Sequence, residues 1–272
     1  MYSAPYHNNF WVLHPLILSM KRLQLYIVNV LLLMLFSICT YGQTMERNVQ
    51  NRPYTDLRPM HFGIVVGMNF QDMKFQNVGP QTLTLKDGSQ MASNVVCDQS
   101  NWDPGFNVGV LMETRINDYF AFRLAPQLYF GTRNLTFHNL TLSQAEGRDV
   151  EEKQSMKTVY VGANLDIIFA SKRFNNHRPY MMAGIAPMIN LSSKSNDYIQ
   201  MKKSDIFAEI GIGCDFYLPF FKLRPELKFM MGLTNCFNSK HIEDMNNADQ
   251  MPYAASVRNA KSKMFVLSFY FE

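Results

Sequence analysis

The stretch Asp205 to Leu233, DIFAEIGIGCDFYLPFFKLRPELKFMMGL, constrains this chain more than any other, because it reads as two long strands joined by a tight turn. Ile206, Ala208, Ile210, Ile212, Cys214, Phe216 and Leu218 fall on one face, and Phe207, Glu209, Gly211, Gly213, Asp215 and Tyr217 on the other. The second half repeats the pattern, with Leu223, Pro225, Leu227, Phe229, Met231 and Leu233 opposed to Arg224, Glu226, Lys228, Met230 and Gly232. A period of two marks a strand, since successive Cβ atoms point to opposite sides of a sheet. One face is unbroken apolar and the other mixes small residues with charges of both signs, so one side must meet an apolar medium. Strands of about 9–11 residues tilted by about 45° cross a bilayer, whereas strands of soluble sheets usually have about five or six. The stretch is therefore read as a transmembrane hairpin.

The front of the chain fits export. Met20-Lys21-Arg22 precedes the apolar run LQLYIVNVLLLMLFSIC and then Thr40 to Gln43, a basic start and short apolar core that read as a signal peptide over 20–42. Residues 1–19 are expected to be a pre-signal extension or a misassigned start, with a signal anchor as the alternative. Ile38 is bulky where a lipid-attachment motif around Cys39 wants a small residue. The mature chain is expected from about Gln43, with a periplasmic lead over 43–60 and a barrel over 61–272. It holds no further run of 18 apolar residues, so any membrane insertion must be as a closed barrel. A net charge of +4 spread along 272 residues is no nucleic-acid footprint. Cys97, Cys214 and Cys236 make an odd number, not a disulfide framework; Cys97 and Cys236 lie in polar connections, and pairing between them stays open.

Taken in order, alternation recurs over His61 to Phe70, Pro104 to Ile116, Tyr119 to Thr132, Thr158 to Phe169, Pro179 to Leu191, the two arms of the hairpin, and Ser262 to Phe271. That is about eight strands, with long polar connections after the first, third, fifth and seventh and short ones after the others. Asn117-Asp118 is a turn signal. Outer-membrane barrels have an even number of antiparallel strands, short periplasmic turns and long external loops, so an all-β, up-and-down transmembrane barrel of about eight strands is expected. Pro126, Pro187 and Pro225 fall inside strands, where proline usually marks a bulge.

The non-apolar face collects Glu113, Asp166, Glu209, Asp215 and Glu226 with Arg115, Arg123, Arg224 and Lys228. A barrel of eight strands has room inside only for its own side chains, and unpaired charges there are costly. Pairing is therefore expected, as a structural ion network that plugs the lumen. One hairpin register sets Asp215 opposite Arg224 and Gly211 opposite Lys228; a shift of two sets Glu209 opposite Lys228.

No catalytic, cofactor or metal site is expected. Gly211-Ile-Gly213 lacks the third glycine and the helix of a dinucleotide fingerprint. His61, His138, His177 and His241 show no ligand spacing, and Glu243 to Asp249 lacks the ligand order of a calcium loop. No Ser, His and carboxylate stand in triad order. Asn-x-Ser/Thr sites at Asn134, Asn139 and Asn190 matter only on a glycosylating route. A lipocalin-like soluble barrel would need an apolar lumen and a polar exterior, which the length of the apolar face opposes.

The segments HFGIVVGMNF, PGFNVGVLMETRINDYFAFRLAPQLYFGTRNLTF, RPYMMAGI and the Asp205–Leu233 hairpin, in this order, resemble the PorT (SprT) family of outer-membrane barrels. That family belongs to the type IX, or Por, secretion system of the Bacteroidetes. The resemblance implies a non-enzymatic component needed for export or assembly of secreted and surface proteins, with other type IX components and outer-membrane lipid as partners and no small-molecule substrate. A plugged barrel cannot be the conduit itself. The docking surface in this reading is the basic turn with Lys172, Arg173, His177 and Arg178 on the periplasmic side, or the external loops; the plainer alternative is a solvated turn that happens to be basic. The alternative is a stand-alone barrel of the adhesin or membrane-integrity type, binding through its external loops.

Overall fold

The structure, a computed structural model, describes residues 49–84, 88–99, 101–192, 198–238 and 250–272. The signal peptide over 20–42, the preceding residues 1–19, residues 43–48 at the start of the lead, His241 and the Glu243–Asp249 loop lie outside the described residues.

Eight strands close into a ring: β1 (Met60–Asn77), β5 (Asp103–Arg115), β6 (Phe120–Asn139), β7 (Glu151–Ala170), β8 (His177–Asn190), β9 (Ser204–Tyr217), β10 (Lys222–Gly232) and β11 (Val257–Phe271). Each is antiparallel to its neighbours, β6 pairs with β7, and β11 returns to β1 with Ile64 opposite Phe271 and Phe70 opposite Phe265. The short strands β2 (Gln81–Thr84), β3 (Gln90–Ser93) and β4 (Val95–Asp98) lie in the first long connection, β2 with β3 as a hairpin and β4 against the end of β6. Two short helices, α1 (Leu140–Glu146) and α2 (Met251–Ala254), lie in other long connections. Asn139 caps α1 by accepting from the Leu142 N–H, and Gly147 ends it at φ 67°, which glycine adopts without strain.

The outward face of each strand is the apolar one. On β1 the residues Phe62, Ile64, Val66, Met68 and Phe70 are all exposed, a nine-residue span that matches a tilted bilayer crossing. Asp72 and Lys74 follow on the same face, so the belt ends there, and Lys263 of β11 lies 3.8 Å from Asp72. Rings gather at both edges, with Trp102, Phe265 and Phe229 at the long-loop end and Tyr119, Phe120 and Phe169 at the short-turn end. Such girdles flank the hydrocarbon band of outer-membrane barrels.

Beyond the belt the alternation inverts. On β6, Leu128 and Phe130 point out to lipid, but from Asn134 to His138 the polar residues point outward, and Leu135 and Phe137 are buried inward. Here the outside is water, so the apolar side chains turn into the lumen. With Met156, Tyr160, Ile199, Met201, Phe237 and Val257 they form a buried cluster that closes the long-loop end. This extends β6 and β7 well past the Thr132 and Thr158 limits expected from sequence, because a ladder with an apolar inner face keeps pairing after it leaves the membrane. Cys97 and Cys236 both enter this cluster as free thiols, and burial pushes both thiols above their usual range.

The expected proline bulges are not there. Pairing lapses at Val110–Leu111 opposite Ala125–Pro126, at Ala163–Asn164 opposite Ala186–Pro187, and at Cys214–Asp215 opposite Arg224–Pro225. The register is the same on either side of each gap. Proline removes one donor on one flank, and the other flank stays paired, Pro126 with Ala163, Pro187 with Ile206 and Pro225 with Phe269. The intact ladder above and below holds the frame.

Candidate functional site

The inward residues of the lower barrel form one connected charge network. Arg123 of β6 directs Nε to Glu113 Oε2 of β5 at 3.3 Å and Nη1 to Glu226 Oε2 of β10 at 2.6 Å. Arg224 of β10 gives Nε to Asp215 Oδ1 of β9 at 2.6 Å, and Nη1 to Glu113 Oε2 at 2.6 Å and Glu272 Oε1 at 2.5 Å. Lys222 pairs with Glu272, and Lys228 Nζ stands 3.0 Å from Glu209 Oε2. The hairpin takes the register with Lys228 opposite Gly211, yet Lys228 reaches Glu209 diagonally, since the glycine leaves its long side chain room.

Neutral partners complete the layer. Tyr180 and Tyr270 donate their hydroxyls to Glu226 at 2.9 and 3.0 Å, and the Arg123 guanidinium lies 4.5 Å over the Tyr270 ring. Asn164 donates to Glu209 at 2.8 Å. One layer up, Arg133 donates to Gln71 and Ser262 at 3.0 Å each, and Thr158 donates to Gln71 at 2.9 Å. Charge-assisted, shared bonds of this kind offset the desolvation that isolated charges would suffer in so narrow a lumen.

Two expected members stand apart. Arg115 is not in the network: partly exposed at the short-turn rim, it pairs with Asp118 three residues on. Its strand ends there, where water solvates the guanidinium. Asp166 is buried in the lumen, but neither of its carboxylate oxygens has a hydrogen-bond partner among the described residues. Its register partner Arg123 is drawn to Glu113 and Glu226 instead. Lys222, Glu272 and Arg133 were overlooked although they continue the inward alternation, Lys222 before Arg224, Glu272 after Tyr270 and Arg133 after Tyr129 and Gly131.

The short-turn mouth is covered by the lead. Asn51 bonds Asn176 through its backbone N–H and the Tyr217 carbonyl through its side chain, both at 2.9 Å. Arg52 donates to the Glu272 carbonyl at 3.0 Å, and Tyr217 donates its hydroxyl to Asp56 at 2.6 Å. The basic turn takes part. Arg173 donates to the Asn51 carbonyl at 2.5 Å and lies 3.7 Å over the Tyr217 ring, while Arg178 donates to the Ser171 and Asp118 carbonyls. Two of the four proposed docking residues are thus used within the chain, and Lys172 and His177 remain exposed. A cavity of about 310 Å³ with charges of both signs lies between this lead and the lower network. Among the described residues no group of three or more His, Cys, Asp or Glu is placed to hold a metal ion.

Among the similar solved structures, three are each 12% identical to this chain. OprG from Pseudomonas aeruginosa, an outer membrane protein, matches over 77% of this chain and 93% of its own with a TM-score of 0.42. Neisserial surface protein A matches over 78% and 98% with a score of 0.39. Ail, the attachment invasion locus protein of Yersinia pestis, crystallised with a heparin analogue, matches over 79% and 99% with a score of 0.34. At these scores the likeness carries no argument, and the fold rests on the closed ring of strands itself. No curated protein matches the sequence. A family model described as outer membrane protein beta-barrel domain matches residues 47–238. With that match over most of its length, the closed ring and the lipid-facing belt, the chain belongs to the outer membrane protein beta-barrel domain family and is integral to the outer membrane.

Proposed function

We propose that this barrel is a non-enzymatic accessory part of an outer-membrane protein export machine of the type IX kind, acting through its surfaces and not as the conduit. The observation that supports it best is the closed lumen: Arg123 meets Glu226 at 2.6 Å across the barrel, an apolar cluster lies above and the lead below. Among the described residues no path remains for an unfolded or folded cargo chain. The type IX assignment itself rests on the quoted segments that resemble the PorT family. The exposed Lys172 and His177 of the short-turn face are the docking residues in this reading.

The test is a deletion strain complemented with the wild-type chain or with Lys172→Glu/His177→Glu. Loss of secreted cargo from the deletion with unchanged outer-membrane composition supports the reading, and full secretion without the barrel overturns it. Full secretion by the double variant removes only the docking residues. A second reading, a stand-alone barrel that binds partners externally, draws on the projecting β6–β7 hairpin, whose ladder continues to His138 opposite Glu151. In that case deletion changes adhesion or envelope integrity and leaves secretion intact.

A further inference from the structure

The cavity of about 310 Å³ at the short-turn mouth is uneven in charge, and its volume lies at the small end of the roughly 300–1,000 Å³ span of ligand sites. Arg115, Lys172, Arg173, Arg178, Lys222 and Arg224 line it, against the carboxylates Asp56, Glu113, Asp118 and Asp215. On the deep side the cations are matched within the network, Lys222 and Arg224 by Asp215, Glu113 and Glu272. At the rim Arg115 is paired with Asp118, which leaves Lys172, Arg173 and Arg178 to one lining carboxylate. That carboxylate, Asp56, stands 3.9 Å from Arg173 and 3.8 Å from Arg178, and it already accepts the Tyr217 hydroxyl at 2.6 Å.

The two arginines otherwise bond neutral groups. Arg173 spends all three of its nitrogens on the carbonyls of Asn51, Arg52 and Asn175 and on the Asn176 side chain. Arg178 gives Nε and Nη2 to the Ser171 and Asp118 carbonyls, and its Nη1 meets only Asp56 at 3.8 Å. Such bonds orient a guanidinium without neutralising it, and Lys172 beside them is exposed. Deeper in the cavity Arg224, 1% exposed, uses Nε and Nη1 in its ion pairs, so its Nη2 has no hydrogen-bond partner among the described residues. Another part of the lining is apolar: Ile168 and Ala170 of β7 belong to one buried cluster with Ala121 of β6 packed against it, and the two alanine methyl groups fill little of the lumen.

We propose that the mouth cavity binds a short organic monocarboxylate, with its carboxylate against Lys172 and Arg178 and its apolar tail on Ala121, Ile168 and Ala170. Charge-assisted bonds from Lys172 and from Arg178 Nη1 hold the anion, and the nearby Arg173 adds its charge. One further negative charge offsets an excess that Asp56 meets only at long range. The apolar wall favours a carboxylate with a hydrocarbon tail over a hydrated inorganic anion. The C-terminal residue of a peptide and a free short-chain acid both carry this chemistry. The site stands apart from the export role, because binding is a property of the purified chain.

The test is calorimetric titration of the mature chain in a zwitterionic detergent with acetyl-alanyl-leucine, its C-terminal amide, butyrate and inorganic phosphate, each corrected for protein-free micelles. The peptide acid and butyrate are expected to bind, and the amide to bind about tenfold more weakly than the acid. Lys172→Gln is expected to weaken the acids about fivefold, and Asp56→Asn, which removes the resident carboxylate, to tighten them about fivefold. Ala121→Phe fills the apolar wall and abolishes binding. Should it fail to fold, as read by gel mobility with and without heating, Ala170→Leu replaces it. A peptide acid that binds more tightly than butyrate assigns the site to a chain terminus, and butyrate binding at least as tightly assigns it to free short acids; both support the site. Equal binding of the peptide acid and its amide overturns it, as does phosphate held as tightly as the acids or acid binding unchanged in a folded, filled variant.

Discussion

Arg123 and Glu226 are joined at 2.6 Å although their strands, β6 and β10, are four places apart in a ring of eight, on opposite walls of the barrel. The pair spans the lumen, and neither side chain is exposed. Removing one partner of a buried pair leaves the other charge without compensation, at a cost of about 3–5 kcal/mol. Arg123→Met is therefore expected to lower unfolding stability in detergent by that order. Arg123→Met/Glu226→Leu is expected to recover part of it. Losses that simply add in the double variant would count against a shared bond.

Asp166 behaves oppositely. In the lower lumen Glu113, Asp166, Glu209, Asp215, Glu226 and Glu272 outnumber Arg123, Lys222, Arg224 and Lys228, and Asp166 has no hydrogen-bond partner among the described residues. Asp166→Asn is expected to be neutral or stabilising in urea titrations. Glu209→Gln leaves Lys228 without its 3.0 Å partner and is expected to cost about 3 kcal/mol or more. A larger loss from Asp166→Asn than from Glu209→Gln would refute this charge assignment.

In planar bilayers the wild-type chain is expected to show no steady, large conductance, because the lumen is filled along its length by paired charges and then by the apolar cluster. A stable open level in single-channel recordings contradicts that filling.

Cys97 and Cys236 are both about 1% exposed and unpaired, with thiols held protonated by burial. Since the thiolate is the reactive form, both are expected to resist maleimide in the folded barrel and to react fully after denaturation. Non-reducing and reducing gels are expected to match. Rapid labelling in the native state would show that the long-loop cluster is open.

The lead is held by hydrogen bonds and not by a hydrophobic core, so it belongs to the low-stability end of the fold. Chymotrypsin is expected to cut after the exposed Tyr54 slowly in the wild type and about fivefold faster in Arg173→Ala, the effect of losing roughly 1 kcal/mol of hydrogen bonding. Equal rates would mean that Arg173 does not hold the lead.

Much of the barrel was legible because lipid and lumen impose opposite demands on alternate residues. Phe62 to Phe70, Ile206 to Phe216 and Leu223 to Leu233 gave their facing directly, and the alternation of long and short connections gave the order of strands. What stayed hidden had a different physics. The continuation of β6 past Thr132 follows a reversed code, in which Leu135 and Phe137 face inward because water has replaced lipid outside. The choice among cations is likewise not written in a pattern of charges: Arg115 and Arg123 sit on the same face, but only one is deep enough to need a partner. Nor does spacing reveal that Asn51 and Arg173 meet, since that contact joins segments 122 residues apart.

The reversal of that code along β6 acts as a depth gauge. Sliding the barrel outward would place Phe130 and Leu128 in water, and sliding it inward would drag Asn134 and Thr136 into hydrocarbon, so either displacement meets a restoring force. A strand that changes its allegiance partway thus fixes vertical position without any anchor group, and any partner that docks on this protein finds its contact surface at a set height above or below the bilayer.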